Sequence, residues 1–361
     1  LKKVKPKKAS SRKSSSRQWH WKWPALFSLV IVLAIIALNS YWVLYKNRIT
    51  EEYDNEYFYI KTGSTLNDVA ESLYRVDLIA STSIFKWVAE SKNYKTGKIK
   101  PGRYRLEPGM NLNDIINKLR SGEQTPLQIR IQDIKTLHHL AGYLGNKLEP
   151  DSVDFIDTFY NTDLLDSLGF NRNNFVTLFF SDTYQFYWNT SVHQFIKRMA
   201  EQYKLFWNEA RNRKANQLRL SRLEIYTLAS IVQSEQSIRR IEQPIIAGLY
   251  LNRLRKRMKL ESDPTALFAS GRFNAKRALK ADIKTPSPYN TYHSYGLPPG
   301  PITLVEKGAI DAVLNAQNHN YIFMCAKADF SGYHHFSSNY AQHRQHALAY
   351  RAALDKRKIF K

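Results

Sequence analysis

The chain has 361 residues, with 54 Lys+Arg against 31 Asp+Glu, a formal charge of +23 and a single cysteine. That length is more than one small core needs and sets an expectation of two or three domains. One cysteine excludes an intrachain disulfide framework and a cysteine-rich zinc site, while the charge points to nucleic acid or a membrane surface until its location is known.

Residues 1-22 hold nine of the Lys/Arg and no acid, with Ser and Pro between them. Such a stretch cannot bury enough apolar surface to order itself, so it reads as a basic disordered tail. Residues 23-45 then run from Trp23 to Tyr45 without a charge. At about 1.5 Å per residue this helix spans roughly 34 Å, enough for a hydrocarbon core of about 30 Å. Trp19, Trp21 and Trp23 on one side and Tyr41, Trp42 and Tyr45 on the other supply interfacial aromatic belts. A cleaved signal peptide would have a shorter apolar run and a small-residue cleavage site, and this run ends in bulky aromatics. The reading is one transmembrane helix in the cytoplasmic (inner) membrane, its N-terminus cytoplasmic by the positive charges before it and the rest of the chain extracytoplasmic. Without the tail, 45 basic and 31 acidic residues remain, a charge of +14. That part has no access to genomic DNA, so no nucleic-acid partner is expected.

Residues 46-125 read as a small α+β module. A strand from Tyr57 leads through Gly63 into a capped helix, and the phrase GSTLNDV (Gly63 to Val69) returns as GMNLNDI (Gly109 to Ile115), with Leu73 and Leu119 at matching positions. The G-S-T-L-x-D-V-A segment resembles a LysM-like carbohydrate-binding module. Glycan binding and a plain spacer role both remain open for it.

Residues 126-220 read as a helical intermediate region with aromatic punctuation. His138 and His139 lie on a helix with no third ligand at metal spacing, so they are surface or hydrogen-bonded histidines. The aromatic run FFSDTYQFYWNTS (Phe179 to Ser191) suits sugar stacking, but also a core.

Residues 221-361 carry the chemistry. Ser221 and Glu224 form a capping box, and Leu228, Ile231, Val232 and Glu235 fall at i, i+3, i+4 and i+7, placing Glu235 on the apolar stripe near the helix end. A carboxyl there is paired, reaches solvent at the helix end, or stays protonated by desolvation, which is what a general acid requires. Pro244 then opens a basic helix, and Ser262 to Thr265 (SDPT) cap another. TPSPYNTYHSYGLPPGPI (Thr285 to Ile302) holds Tyr289, Asn290 and Tyr292 in a loop stiffened by seven Pro and Gly. Such a loop suits sugar recognition or is a proline-pinned connector.

These phrases, with the closing YIFMCAKADFSGYHHFSSNYAQH (Tyr321 to His343), resemble the endolytic murein transglycosylases, the MltG or YceG-like family, in order and over about residues 55 to 350. The resemblance implies a membrane anchor, a LysM-like part and a mixed α+β catalytic domain. No cofactor is expected, and His334, His335, His343 and His346 have no Cys or carboxylate at zinc-ligand spacing, so no metal is expected. The resemblance also implies peptidoglycan glycan strands as substrate and peptidoglycan synthases as candidate partners. Glu235 matches the family's catalytic glutamate. Asn252, Asp263, Tyr289, Asn290, Tyr292, His334 and Asn339 are expected at the substrate. The chain departs from the family at Gln233, where a first Glu is usual, at Gln236, where Thr is usual, and at Ser181, where Pro is common. His334, Phe336, Asn339 and His343 match the closing motif and are assigned to the cleft floor or the fold, and Cys325 to a buried strand.

The activity implied is cleavage of the MurNAc-β-1,4-GlcNAc bond with a 1,6-anhydroMurNAc end. One carboxyl can then serve as acid and base, because no water attacks. The alternatives are a two-carboxylate hydrolase using Asp263 or Glu261, and a non-catalytic wall-binding anchor.

Overall fold

The computed structural model describes Lys2, residues 22-45, Ile49, residues 57-275 and residues 277-357, so the expected basic tail falls outside the described residues except for Lys2 and Lys22. The chain forms two compact units, Leu1–Thr125 and Pro126–Lys361.

In the first unit, α1 (Lys22–Tyr45) contains the apolar run Trp23–Tyr45, long and apolar enough to cross a membrane. There follow β1 (Tyr57–Ile60), α2 (Leu66–Arg75), α3 (Thr82–Ser91), β2 (Gly102–Arg105) and α4 (Leu112–Ser121). β1 pairs antiparallel with β2, Tyr57 opposite Arg105 and Ile60 opposite Gly102. The repeated phrase has a physical basis. Gly63 and Gly109 sit at φ 83° and 87°, a left-handed turn that side chains disfavour. Thr65 then closes a capping box with Asp68 on α2, and Asn111 closes one with Asp114 on α4. Beyond the caps Leu66, Val69 and Leu73 are buried on one helix and Leu112, Ile115 and Leu119 on the other, in a single core. The two halves are alike because each uses the same turn, cap and apolar spacing; α3 lies between them.

In the second unit the order is β3 (Leu127–Ile131), α5 (Leu137–Gly145), α6 (Ser152–Phe159), α7 (Thr162–Ser167), β4 (Asp182–Phe186), α8 (Val192–Phe206), α9 (Glu209–Leu218), α10 (Arg222–Glu235), α11 (Gln243–Arg255), α12 (Asp263–Ala269), α13 (Lys280–Lys284), α14 (Lys307–Leu314), β5 (Phe323–Ala326), β6 (His334–Ser337) and α15 (Tyr340–Lys356). Two expectations need correction. The stretch 126-220 is not purely helical: β3 and β4 pair antiparallel across it, Leu127 opposite Phe186. The alternation in LQIRI, buried at every second residue, is the period of a strand with one face inward. Nor does 126-220 fold apart from 221-361, because one core runs through both. Its centre is α10, where every residue from Ile225 to Val232 is buried. Tyr226 joins three segments: its fully buried hydroxyl donates to Phe179 O at 2.6 Å and accepts from Val305 N at 3.1 Å.

The aromatic run after Phe179 is mainly core. Phe179 and Phe180 are completely buried, and Phe179 stacks on Phe195 with ring centroids 6.0 Å apart. Ser181, at the family's proline position, donates its hydroxyl to Ile131 O at 2.8 Å and its N–H to Val305 O at 2.8 Å. Proline could not make that second bond. α11 is buried on most of its surface. At Gly248 a Cβ would come within 2.3 Å of Gln317 O, so the chain crosses the helix where only glycine leaves room.

Candidate active site

α10 ends at Glu235, at the C-terminal end of the central helix. The side chain is half-buried, with its carboxyl against protein on one side and a cleft on the other. Its Oε1 accepts hydrogen bonds from Ser262 Oγ at 2.5 Å and from Tyr250 Oη at 2.9 Å. Burial pushes the carboxyl above the ordinary carboxylate range. The two hydroxyl donors oppose this, the neighbouring Asp263 adds to it, and His334 works against it. The negative end of the helix dipole also disfavours a carboxylate at this position. The balance holds the proton on the acid more tightly than water would, as a proton donor needs.

Ser262 and Tyr250 join the site unannounced by the sequence. Ser262 occupies the cap position of α12, yet its hydroxyl makes no cap bond there. Pro264 is the second helical residue and has no N–H to offer, so the hydroxyl is free to meet Glu235. Thr291 holds the turn, accepting from Ser262 N at 3.0 Å and sharing a 2.7 Å hydroxyl contact with Thr265. Pro264 two residues after a serine in a cap position is the signal the sequence offers. Tyr250 sits mid-helix on α11 and carried none.

The cleft has two lobes that meet at Glu235. The larger, about 670 Å³, is lined by Lys135, Gln233, Phe268, Phe273 and Arg277 among others. The smaller, about 420 Å³, includes Tyr250, Tyr292, Phe323, Tyr340 and His343. Glu235, Asp263, Ala326 and His334 line both. Asp263 is exposed and accepts from Tyr292 Oη at 2.6 Å. Burial and that carboxylate push the Tyr292 phenol well above its ordinary value. His334 is set by the buried Glu242, which accepts from its backbone N–H and its Nδ1–H, each at 2.9 Å. Gln236, directly after Glu235, donates to the same carboxylate at 2.9 Å and to Gly332 O at 3.0 Å, tying the helix end to the β6 side of the cleft.

Four expected binding residues are placed elsewhere. Asn290 is completely buried, and its amide donates to Asp282 O, Ile283 O and Thr285 O, so it pins its own loop. Asn252 donates to His319 O at 2.6 Å and to Tyr321 O at 3.1 Å and lines neither lobe. Asn339 caps α15 through Gln342 N. Tyr289 packs on Phe268, ring centroids 4.9 Å apart, behind the larger lobe rather than in its lining. Side-chain amides are recognisable in sequence, but the partners that consume them are not. Cys325 is half-buried on β5, not a core residue, and burial pushes its thiol up. Gln233 accepts from Glu306 N at 2.8 Å and donates to Leu304 O at 3.3 Å. The second bond is one a glutamate could not make.

Fold and site together define a mixed helix-and-sheet protein whose cleft is centred on one desolvated carboxylic acid. The chain belongs to the YceG-like family, which matches residues 58–348. An endolytic murein transglycosylase of Bacillus subtilis is 30% identical over 287 residues, covering 75% of this chain and 78% of its own length. One of Streptococcus pneumoniae is 26% identical over 320 residues, covering 79% of this chain and 56% of its own, so this chain spans little more than half of that relative. The crystal structure of a yceG-like protein from Listeria monocytogenes superposes with a TM-score of 0.56 at 25% identity, covering 80% of this chain and 98% of that one.

Proposed function

We propose that this chain is a membrane-anchored endolytic lytic transglycosylase that cuts the MurNAc-β-1,4-GlcNAc bond inside nascent peptidoglycan strands and ends them. The observation that carries the reading is the proton-retaining carboxyl of Glu235 at the meeting of two lobes, where a sugar polymer can lie on both sides of the bond to be cut. Glu235 gives its proton to the glycosidic oxygen as the C1–O bond breaks. The muramic C6 hydroxyl closes on C1, and its proton returns to the Glu235 carboxylate, leaving the acid ready for another turn. The product is a 1,6-anhydro end lighter by one water than a hydrolysis product.

The apolar run Trp23–Tyr45 holds the enzyme in the cytoplasmic membrane, with the nine basic residues before it keeping the N-terminus inside. The family relationship supports the substrate class. The strand-helix-helix-strand order of the first unit supports a LysM-like reading, with glycan as its ligand. Peptidoglycan synthases, which make the strands, are the partners this activity calls for.

A second reading has one observation in its favour: Asp263 lines both lobes beside Glu235 and could activate water as a hydrolase base. Digestion of purified glycan strands by the wild type and by Glu235→Gln, with product ends read by mass spectrometry, tests both. Anhydro ends made only by the wild type support the proposal; reducing ends identify a hydrolase. Full activity in Glu235→Gln refutes the assignment of the acid.

A further inference from the structure

The two lobes differ in how far their cations are already engaged, and the difference names a ligand group. In the smaller lobe the cation is Arg253, and it is already committed. It is buried, its Nε donates to Ile322 O at 2.7 Å, and its Nη1 reaches Lys259 O, Leu260 O and the Glu261 carboxylate, each at 3.0 Å. His343 in that lobe is held toward its neutral form by burial and by Arg253. The rings of Tyr250, Tyr292, Phe323 and Tyr340 in that lobe suit an uncharged sugar face, and the carboxylates of Glu261 and Asp263 stand beside them.

The larger lobe is lined by two cations, half-buried Lys135 and exposed Arg277, and by the exposed carboxylates Asp133 and Asp263, yet neither cation forms an ion pair among the described residues. Lys135 is half-buried, and its Nζ has one hydroxyl contact, Thr303 Oγ1 at 3.4 Å. Burial pulls its ammonium below the ordinary lysine value, and Asp133 offsets this only in part. The apolar rings of Phe268 and Phe273, centroids 5.5 Å apart, line the same lobe. A half-desolvated ammonium and a guanidinium beside apolar rings, at the edge of a sugar-cutting site, fit a short arm with an apolar stem and an anionic end.

We propose that the larger lobe reads a carboxylate carried on the lactyl arm of a muramoyl residue, with Lys135 and Arg277 as its partners and Phe268 and Phe273 against the arm. This deepens the lytic transglycosylase reading and rests on it. The carboxylate has two sources, the free lactyl group of a strand stripped of peptide, or the first acidic residues of an attached peptide. The lobe thereby sets the direction in which the strand lies: the muramoyl arm enters the larger lobe, and the smaller lobe holds a neutral residue.

The test uses the full chain, solubilised in detergent, in the Glu235→Gln background so that strands bind without being cut. Three soluble probes are compared at fixed ionic strength: peptide-bearing strands, amidase-stripped strands, and stripped strands whose lactyl carboxylates are converted to neutral amides. The carboxylate-bearing forms are expected to bind about tenfold more tightly than the amidated form, the range of one charge-assisted hydrogen bond. Lys135→Met with Arg277→Gln should abolish that ratio, and the stronger of the two carboxylate probes names the source. Equal binding of all three probes by the parent refutes the proposal. So does a double variant that weakens every probe equally, because that is loss of the cleft rather than of carboxylate reading. If the enzyme with Glu235 intact cuts no strand at all, the transglycosylase reading fails first. If it cuts strands and the three probes bind alike, only this inference fails.

Discussion

Replacing Ser262 by alanine removes one of the two hydroxyls that hold the Glu235 carboxyl. A hydrogen bond to a charged acceptor contributes about 1.5–3 kcal/mol, and one to the neutral acid about 0.5–1.5 kcal/mol. The difference, about 1–1.5 kcal/mol in favour of the carboxylate, corresponds to roughly one pKa unit. Ser262 is therefore a brake on the upward push of burial, and Ser262→Ala should raise the pKa of Glu235 by about one unit. A general acid works while protonated, so the alkaline limb of kcat against pH should move up by about the same amount, with activity at its plateau reduced much less than by loss of the acid itself. The assay is the rate of formation of anhydro ends from purified strands across the pH range, with substrate saturating. The reasoning is refuted if the alkaline limb stays in place or moves to lower pH, since either result would mean that the hydroxyl does not favour the charged form.

The same carboxyl makes a prediction about stability. Its folded pKa lies above the 4.5 of a free glutamate, so the folded chain holds the proton more tightly than the unfolded chain. The stabilising contribution is complete below that ordinary value and is lost as pH rises through the folded one. Glu235→Gln has no such loss, and its Tm relative to wild type should be constant below about pH 4.5, rise as pH passes up through the folded pKa of Glu235, and level off above it; a difference constant at every pH would contradict the desolvation argument. Tyr226→Phe leaves the Val305 N–H and the Phe179 carbonyl without their shared partner in the core, at a cost of about 1–3 kcal/mol measurable by urea titration monitored in the second unit.

Much of this protein is legible in the linear order of its residues because it depends on near neighbours. The charge-free run from Trp23 to Tyr45 declares a helix long and apolar enough to cross a membrane. The turn-and-cap phrase starting at Gly63 and again at Gly109 declares two helix starts, and both capping boxes form. Helical spacing puts Glu235 in line with Leu228, Ile231 and Val232, and all three apolar residues are buried. Each of these is decided within a few residues of itself, by backbone geometry or by the period of one element.

What only the tertiary structure decided is how polar groups far apart in sequence share their hydrogen bonds. Asn252, Asn290 and Asn339 look alike as candidates for sugar contact, yet each amide is consumed by backbone from its own or a distant segment. Ser262 looks like a cap and instead meets an acid 27 residues earlier. The sequence separates the nine basic residues of positions 1-22 from the rest of the +23, but only the fold separates the rest: Arg253 is locked inside it, and Lys135 and Arg277, far apart in the chain, line one lobe without an ion pair among the described residues. A hydrogen bond or an ion pair is worth what its surroundings leave unsatisfied, and those surroundings are assembled by packing of the core, not by the order of the residues.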